Sequence, residues 1–205
     1  MKGLDKDRIA AAALVIADRH GAEGLTMKAV ADALAVTPMA LYHHVDNKAD
    51  LVALMVDKTI RENPMPVPSN EGWRENLLAL ARWSRDGMSA HPAVGQLQLR
   101  YRVWTPASLA MGEHWVSLWQ QSGLESDAAV ECALLSSIAI LGMVHEEMHL
   151  QDFEPPDESQ LGLLPNLRSM YRAKFEPGRA FDVLVRSVIE GLYTSSSVGP
   201  GEGKR

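Results

Sequence analysis

Apolar residues recur along most of the chain at three- and four-residue intervals, while the alternation that a strand needs is scarce, so the pattern predicts an all-α protein. Between Leu4 and His20, the residues Ile9, Ala12, Ala13, Ile16 and Ala17 mark one stripe of a first helix. Gly21 suits the end of that helix, and Thr26 suits the N-cap of the next. The second helix, about Met27 to Leu34, is short and is expected to bury Val30, Ala31 and Leu34. After a two-residue turn, Ala35-Val36, Thr37 caps a third helix whose first residue is Pro38, where a missing N–H costs nothing. Asn47 caps a fourth helix with Leu51, Leu54 and Met55 on one face.

The segment NPMPVPSNEG, residues 63–72, interrupts this periodicity. Longer helices are predicted beyond it: Trp73 to Ala90, Pro106 to Gln121, Asp127 to His149 and Gly178 to Tyr193. Shorter pieces fall near residues 92–100 and 165–174, and a loop runs from about Gln151 to Leu164. The chain thus divides into residues 1–62, a helical domain over 63–195, and a Gly/Ser-rich tail at 196–205 that is expected to be disordered.

Composition narrows the chemistry. Cys132 is the only cysteine, which excludes an internal disulfide or a cysteine-rich zinc site and suits a reducing compartment. No signal segment and no apolar run long enough to cross a bilayer are expected, so the reading is a soluble, cytoplasmic protein without a membrane partner. The formal net charge of −6 provides no bulk attraction to nucleic acid. Residues 1–60 hold seven Lys/Arg against eight Asp/Glu, so any DNA affinity must come from local placement, helix dipoles and doubling through a dimer.

A short helix, a tight turn and a second short helix that opens with small and aromatic side chains form a helix-turn-helix arrangement, whose second helix can enter a major groove. The stretch GLTMKAVADALAVTPMALYHHVDNKADLVALM resembles the DNA-binding segment of the TetR family of transcriptional regulators, and LYHHVDNKADL is closest to its tetracycline-repressor branch. The resemblance implies an N-terminal helix-turn-helix domain followed by a helical ligand-binding and dimerisation domain. It implies phosphate contacts from Thr26, Tyr42 and Lys48, and base contacts from Lys28, Thr37, Pro38, Met39 and His43. The turn departs from the family, with Ala35 where glycine is usual; a positive φ there would cost alanine about 1 kcal/mol.

The resemblance also implies a homodimer built from the last long helix and the helix over residues 127–149, on which Ser136, Ala139 and Gly142 offer a small-residue face. The partners expected are double-stranded operator DNA, a small-molecule effector and a second copy of the chain, with no resident cofactor. An effector pocket is expected to draw on Trp83, His91, Arg100, Trp104, His114, Trp115, His145, Glu147 and His149. That inventory suits a bulky, partly aromatic small molecule.

The stretch HEEMH, residues 145–149, competes with this picture. His145, Glu146 and His149 fit the H-E-x-x-H pattern, in which two histidines one turn apart hold zinc and the glutamate acts as general base. A zinc-dependent hydrolase is therefore the alternative, and a ligand-independent DNA-binding protein a third reading. Against the hydrolase, a charge stands at Glu147, and no third ligand or substrate-binding sheet edge is signalled. His145 and His149 continue the stripe of Leu134, Ile138 and Leu141, so they are expected to point where that helix buries its side chains. Lining a pocket, standing in solvent or serving a metal-linked ligand all remain open for them.

Overall fold

The computed structural model describes residues 4–150, 154, 156–173 and 176–197, the side chains of His149, Leu150 and Pro177 excepted. The predicted loop start at Gln151 and residues 198–205 of the predicted tail lie outside these. Among the described residues every regular element is helical, as the periodicity predicts.

The first four helices are α1 (Lys6–Gly24), α2 (Met27–Ala33), α3 (Pro38–Tyr42) and α4 (Lys48–Glu62). Each begins on a side-chain cap that occupies an otherwise orphaned backbone donor. Asp5 accepts from Arg8 N, Thr26 from Ala29 N, Thr37 from Ala40 N and Asn47 from Asp50 N, at 2.8, 3.0, 3.2 and 3.0 Å. Gly21 kinks the end of α1 by taking φ of 69°, which glycine reaches without a Cβ penalty.

The remaining helices are α5 (Trp73–Ala90), α6 (Pro92–Tyr101), α7 (Pro106–Gln120), α8 (Ser126–Leu150), α9 (Glu158–Leu161), α10 (Pro165–Arg172) and α11 (Pro177–Ser197). α9 falls inside the predicted loop, where Asp157 and Gln160 form a capping box. α11 runs four residues beyond its predicted end at Tyr193, into the first two residues of the predicted tail.

Two apolar cores form. One joins α1, α2, α3 and α4, around Ile9, Ala13, Leu25, Val30, Leu41, Leu51 and Met55. Ala93, Val94 and Leu97 of α6, together with Val103, complete it, so a helix from beyond the proline-rich segment is packed into the N-terminal core. The second core joins α5, α7, α8 and α11 around Leu77, Leu80, Trp119, Ala133, Phe181, Val185 and Ile189. Ion pairs stitch α5 to α11 along its flank: Arg74 to Glu190, Arg186 to Glu75 and Arg82 to Asp182.

α8 corrects the sequence reading. Its buried face is Ala129, Cys132, Ala133, Ser136, Ile140 and Val144, whereas Val130, Leu134, Leu135, Ile138 and Leu141 are exposed. A helix that is apolar on both sides does not reveal from periodicity which stripe faces inward. The small-residue face divides as well: Ser136 points into the core, and Gly142 meets open space. By length and composition the span Ser126–Met148 is also apolar enough to cross a bilayer, contrary to expectation, although in this fold it packs against α7 and α11.

Candidate functional site

The turn between α2 and α3 is closed by Ala35 N–H donating to Asp32 O at 3.1 Å and Val36 N–H to Ala31 O at 3.0 Å. This geometry puts Ala35 at φ of 53°, the left-handed conformation expected where the residue replaces glycine. α3 is anchored by Leu41, which is fully buried and contributes about 2 kcal/mol of apolar burial. Everything else on its outer side faces solvent: Pro38, Met39 (68% exposed), Tyr42 and His43. Lys28, Thr26 and Thr37 are exposed beside them on α2 and at the two helix starts. Of the eight residues predicted for the DNA face, Lys48 alone is half-buried; its ammonium lies 5.8 Å from the centroid of the Tyr101 ring of α6.

The nine residues predicted for an effector pocket are not brought together. His91 and Arg100 sit at the two ends of α6 and turn toward α1. His91 Nδ1 lies 3.1 Å from each carboxylate oxygen of Asp18, and Arg100 pairs with Glu23. Trp104 is 74% exposed after the end of α6. His145 stands on the exposed stripe of α8 rather than facing the core, the same correction that applies to Leu134, Ile138 and Leu141. The side chain of His149 lies outside the described residues.

The others lie on the regulatory helices, and three of them have partners that sequence reasoning did not foresee. Trp83 donates its indole N–H to Asn63 O at 3.0 Å, at the end of α4. Trp115 donates to Ala133 O and to Ser136 Oγ, at 3.0 and 3.1 Å. Glu147 takes a two-pronged contact from Arg85 of α5, whose guanidinium lies 5.2 Å from the Phe181 ring centroid. His114 is half-buried on α7. An open groove of about 650 Å³ lies elsewhere, between α1 and α2, with Arg8, Val15, Arg19 and Ala33 among its walls.

Within HEEMH, His145 and Glu146 are exposed, while Glu147 turns toward α5. Among the described residues no three His, Cys, Asp or Glu side chains gather as a metal would require.

The family model described as bacterial regulatory proteins, tetR family, matches residues 9–55, and that of the tetracyclin repressor-like C-terminal domain matches residues 65–194. The chain belongs to the tetR family. The hydrolase reading of HEEMH is not supported, because the C-terminal family model spans residues 65–194 and so takes in the whole of α8. Among tetR-family relatives, the transcriptional repressor DrrR1 of Streptomyces coeruleorubidus is 30% identical over 152 residues, covering 74% of this chain but only 56% of the relative's length. The class A tetracycline repressor of Escherichia coli is 26% identical over 94% of this chain and 92% of its own. The tetR-family fold is matched by ActR of Streptomyces coelicolor in complex with actinorhodin, at a TM-score of 0.76 and 23% identity over 95% of this chain and 99% of that one.

Proposed function

We propose that the protein is a ligand-responsive transcriptional repressor of the cytoplasm. As a homodimer it binds palindromic operator DNA and is released by a bulky, partly aromatic small molecule. The observation that carries this reading is α3: one buried anchor, Leu41, with Pro38, Met39, Tyr42 and His43 all left to solvent. In the proposed complex α3 enters the major groove, with Thr26, Tyr42 and Lys48 on phosphates and Lys28, Thr37, Pro38, Met39 and His43 at base edges. Pro38 and Met39 have no side-chain N–H or O–H to donate, so contact with a thymine methyl suits them, whereas Lys28 can donate to guanine.

The exposed faces of α8 and α11 support the dimer. Leu134 and Ile138 are 59% and 60% exposed, and Val183 and Leu184 of α11 are 55% and 47% exposed, apolar surface that a second copy would cover. Two heads about 34 Å apart then meet successive major grooves. Effector binding among α5, α7 and α8, near Trp83, Trp115, His114 and the Arg85–Glu147 pair, would shift α4 and α6 and with them the heads. The effector must prefer the displaced arrangement, because equal affinity for both states shifts nothing. That ActR, which shares the fold, is solved in complex with actinorhodin supports a bound effector.

The test is operator binding by the purified full-length protein, using fragments that flank its own coding sequence over a range of salt. Binding that needs a palindrome and weakens with salt is expected. Equal affinity for all fragments would overturn the reading.

A further inference from the structure

The last turn of α6 makes two contacts at the head, one with α1 and one with Lys48. Arg100 pairs with Glu23 in the last turn of α1. Its neighbour Tyr101 lies against the ammonium of Lys48, the first residue of α4. Glu23 thus feels two cations, Arg100 in direct contact and Lys48 through its charge alone. The Arg100 hydrogen bond and charge hold its carboxyl below the ordinary range, and the charge of Lys48 adds a smaller share.

We propose that Arg100 is a positioning residue for the operator contact of Lys48, screening the Glu23 carboxylate, which otherwise draws the Lys48 ammonium away from DNA. The inference rests on the reading of Lys48 as a phosphate contact. With α6 in place, Arg100 satisfies Glu23, and Lys48 is held under Tyr101 with its charge available. With the last turn of α6 displaced, Glu23 is uncovered, and Lys48 becomes its remaining cationic neighbour of the two. The net charge at the phosphate path then falls by one unit, because Lys48 is offset by Glu23, without the two heads changing their separation.

An ordinary clamping role is the rival explanation. The Arg100 and Glu23 side chains are 57% and 83% exposed, and an ion pair so open to water holds elements together only weakly. Its effect on a polyanion passing beside it does not depend on that strength. With one more acid than base in its first 60 residues, the head has little positive charge in reserve.

A mutant cycle on the full-length dimer separates the two explanations. The readout is affinity for the operator fragment defined above, measured by fluorescence anisotropy at several salt concentrations. Arg100→Leu is expected to weaken binding about two- to fivefold at low salt, the factor an exposed charge pair is worth, and less at high salt. Glu23→Gln is expected not to weaken it, the double variant to match Glu23→Gln, and Arg100→Lys to bind like the parent. In a Lys48→Met background the Arg100→Leu effect should vanish. A clamp predicts instead that Glu23→Gln and Arg100→Leu weaken binding equally and that the double variant is no better. That result, or a loss that persists without Lys48, overturns the inference. Thermal melts of each variant identify any that fail to fold; if Arg100→Leu is among them, Arg100→Gln takes its place in the cycle. If the parent protein prefers no fragment, the repressor reading itself falls, and this inference with it; parent binding with a flat cycle overturns this inference alone.

Discussion

The hydroxyl of Ser136 on α8 accepts the indole N–H of Trp119 on α7 at 3.0 Å, with both residues fully buried. It also accepts from Trp115 and donates to the Cys132 carbonyl, so one small side chain satisfies two tryptophans. Trp115 has Ala133 O as a second acceptor, and Trp119 has no other among the described residues. Ser136→Ala therefore strands a buried donor, which costs about 1–3 kcal/mol. Urea unfolding should show that loss with an unchanged slope; a neutral result would mean that Trp119 finds another acceptor.

Ala35 makes the opposite prediction. Its φ of 53° is unfavourable for a residue with a Cβ, and its side chain is exposed, so replacing it removes no packing. Ala35→Gly should stabilise the protein by about 1 kcal/mol, seen as a rise in melting temperature. A drop would show that the methyl group carries a contact that outweighs the backbone strain.

The exposed stripe on α8 can be broken by one charge. Ile138→Glu puts a carboxylate at the middle of the Leu134–Leu141 surface, where a partner helix would bury it unpaired. Sedimentation should show a monomer of parental helical content that no longer binds operator. A dimer of undiminished affinity would place the interface elsewhere.

The ion pairs between α5 and α11 predict acid sensitivity. Hydrogen bonds from Arg186 and Arg82 hold Glu75 and Asp182 below their ordinary values of 4.5 and 3.8. A folded-state value lower than the unfolded one means that the unfolded chain binds more protons in that window. The stabilisation is therefore complete above pH 4.5 and is lost as pH falls through the depressed folded-state values. These side chains are about a third or more exposed, so the contribution is modest. Urea midpoints measured from pH 7 downward should fall in that window, and Arg82→Leu should flatten the fall.

Much of the head is readable in its sequence because its signals are local. Thr26, Thr37 and Asn47 cap the residues three positions on, and Pro38 starts α3, so each helix start is written within four residues. The strain at Ala35 is likewise visible from its place in the turn. What sequence reasoning missed depends on distance along the chain. His91 and Arg100 meet carboxylates 73 and 77 residues away, and no spacing rule connects them to Asp18 and Glu23. α8 defeats periodicity for another reason: with apolar residues on both faces, the pattern points the stripe holding His145 inward, and it faces out. Ser136 was assigned to a dimer face for its small size, although its hydroxyl is what the core uses.

The packing of α6 has a consequence for recombination. Ala93, Val94, Leu97 and Val103 supply part of the N-terminal core, so residues 1–62 expressed alone would expose the apolar floor on which α6 sits. A chimera that grafts this head onto a foreign sensor must therefore carry α6 with it, or supply a helix of matching shape. In the same way, a gene fusion cut at the proline-rich segment would divide a single packing unit, and the sequence between Pro92 and Val103 should drift together with that of the head it completes.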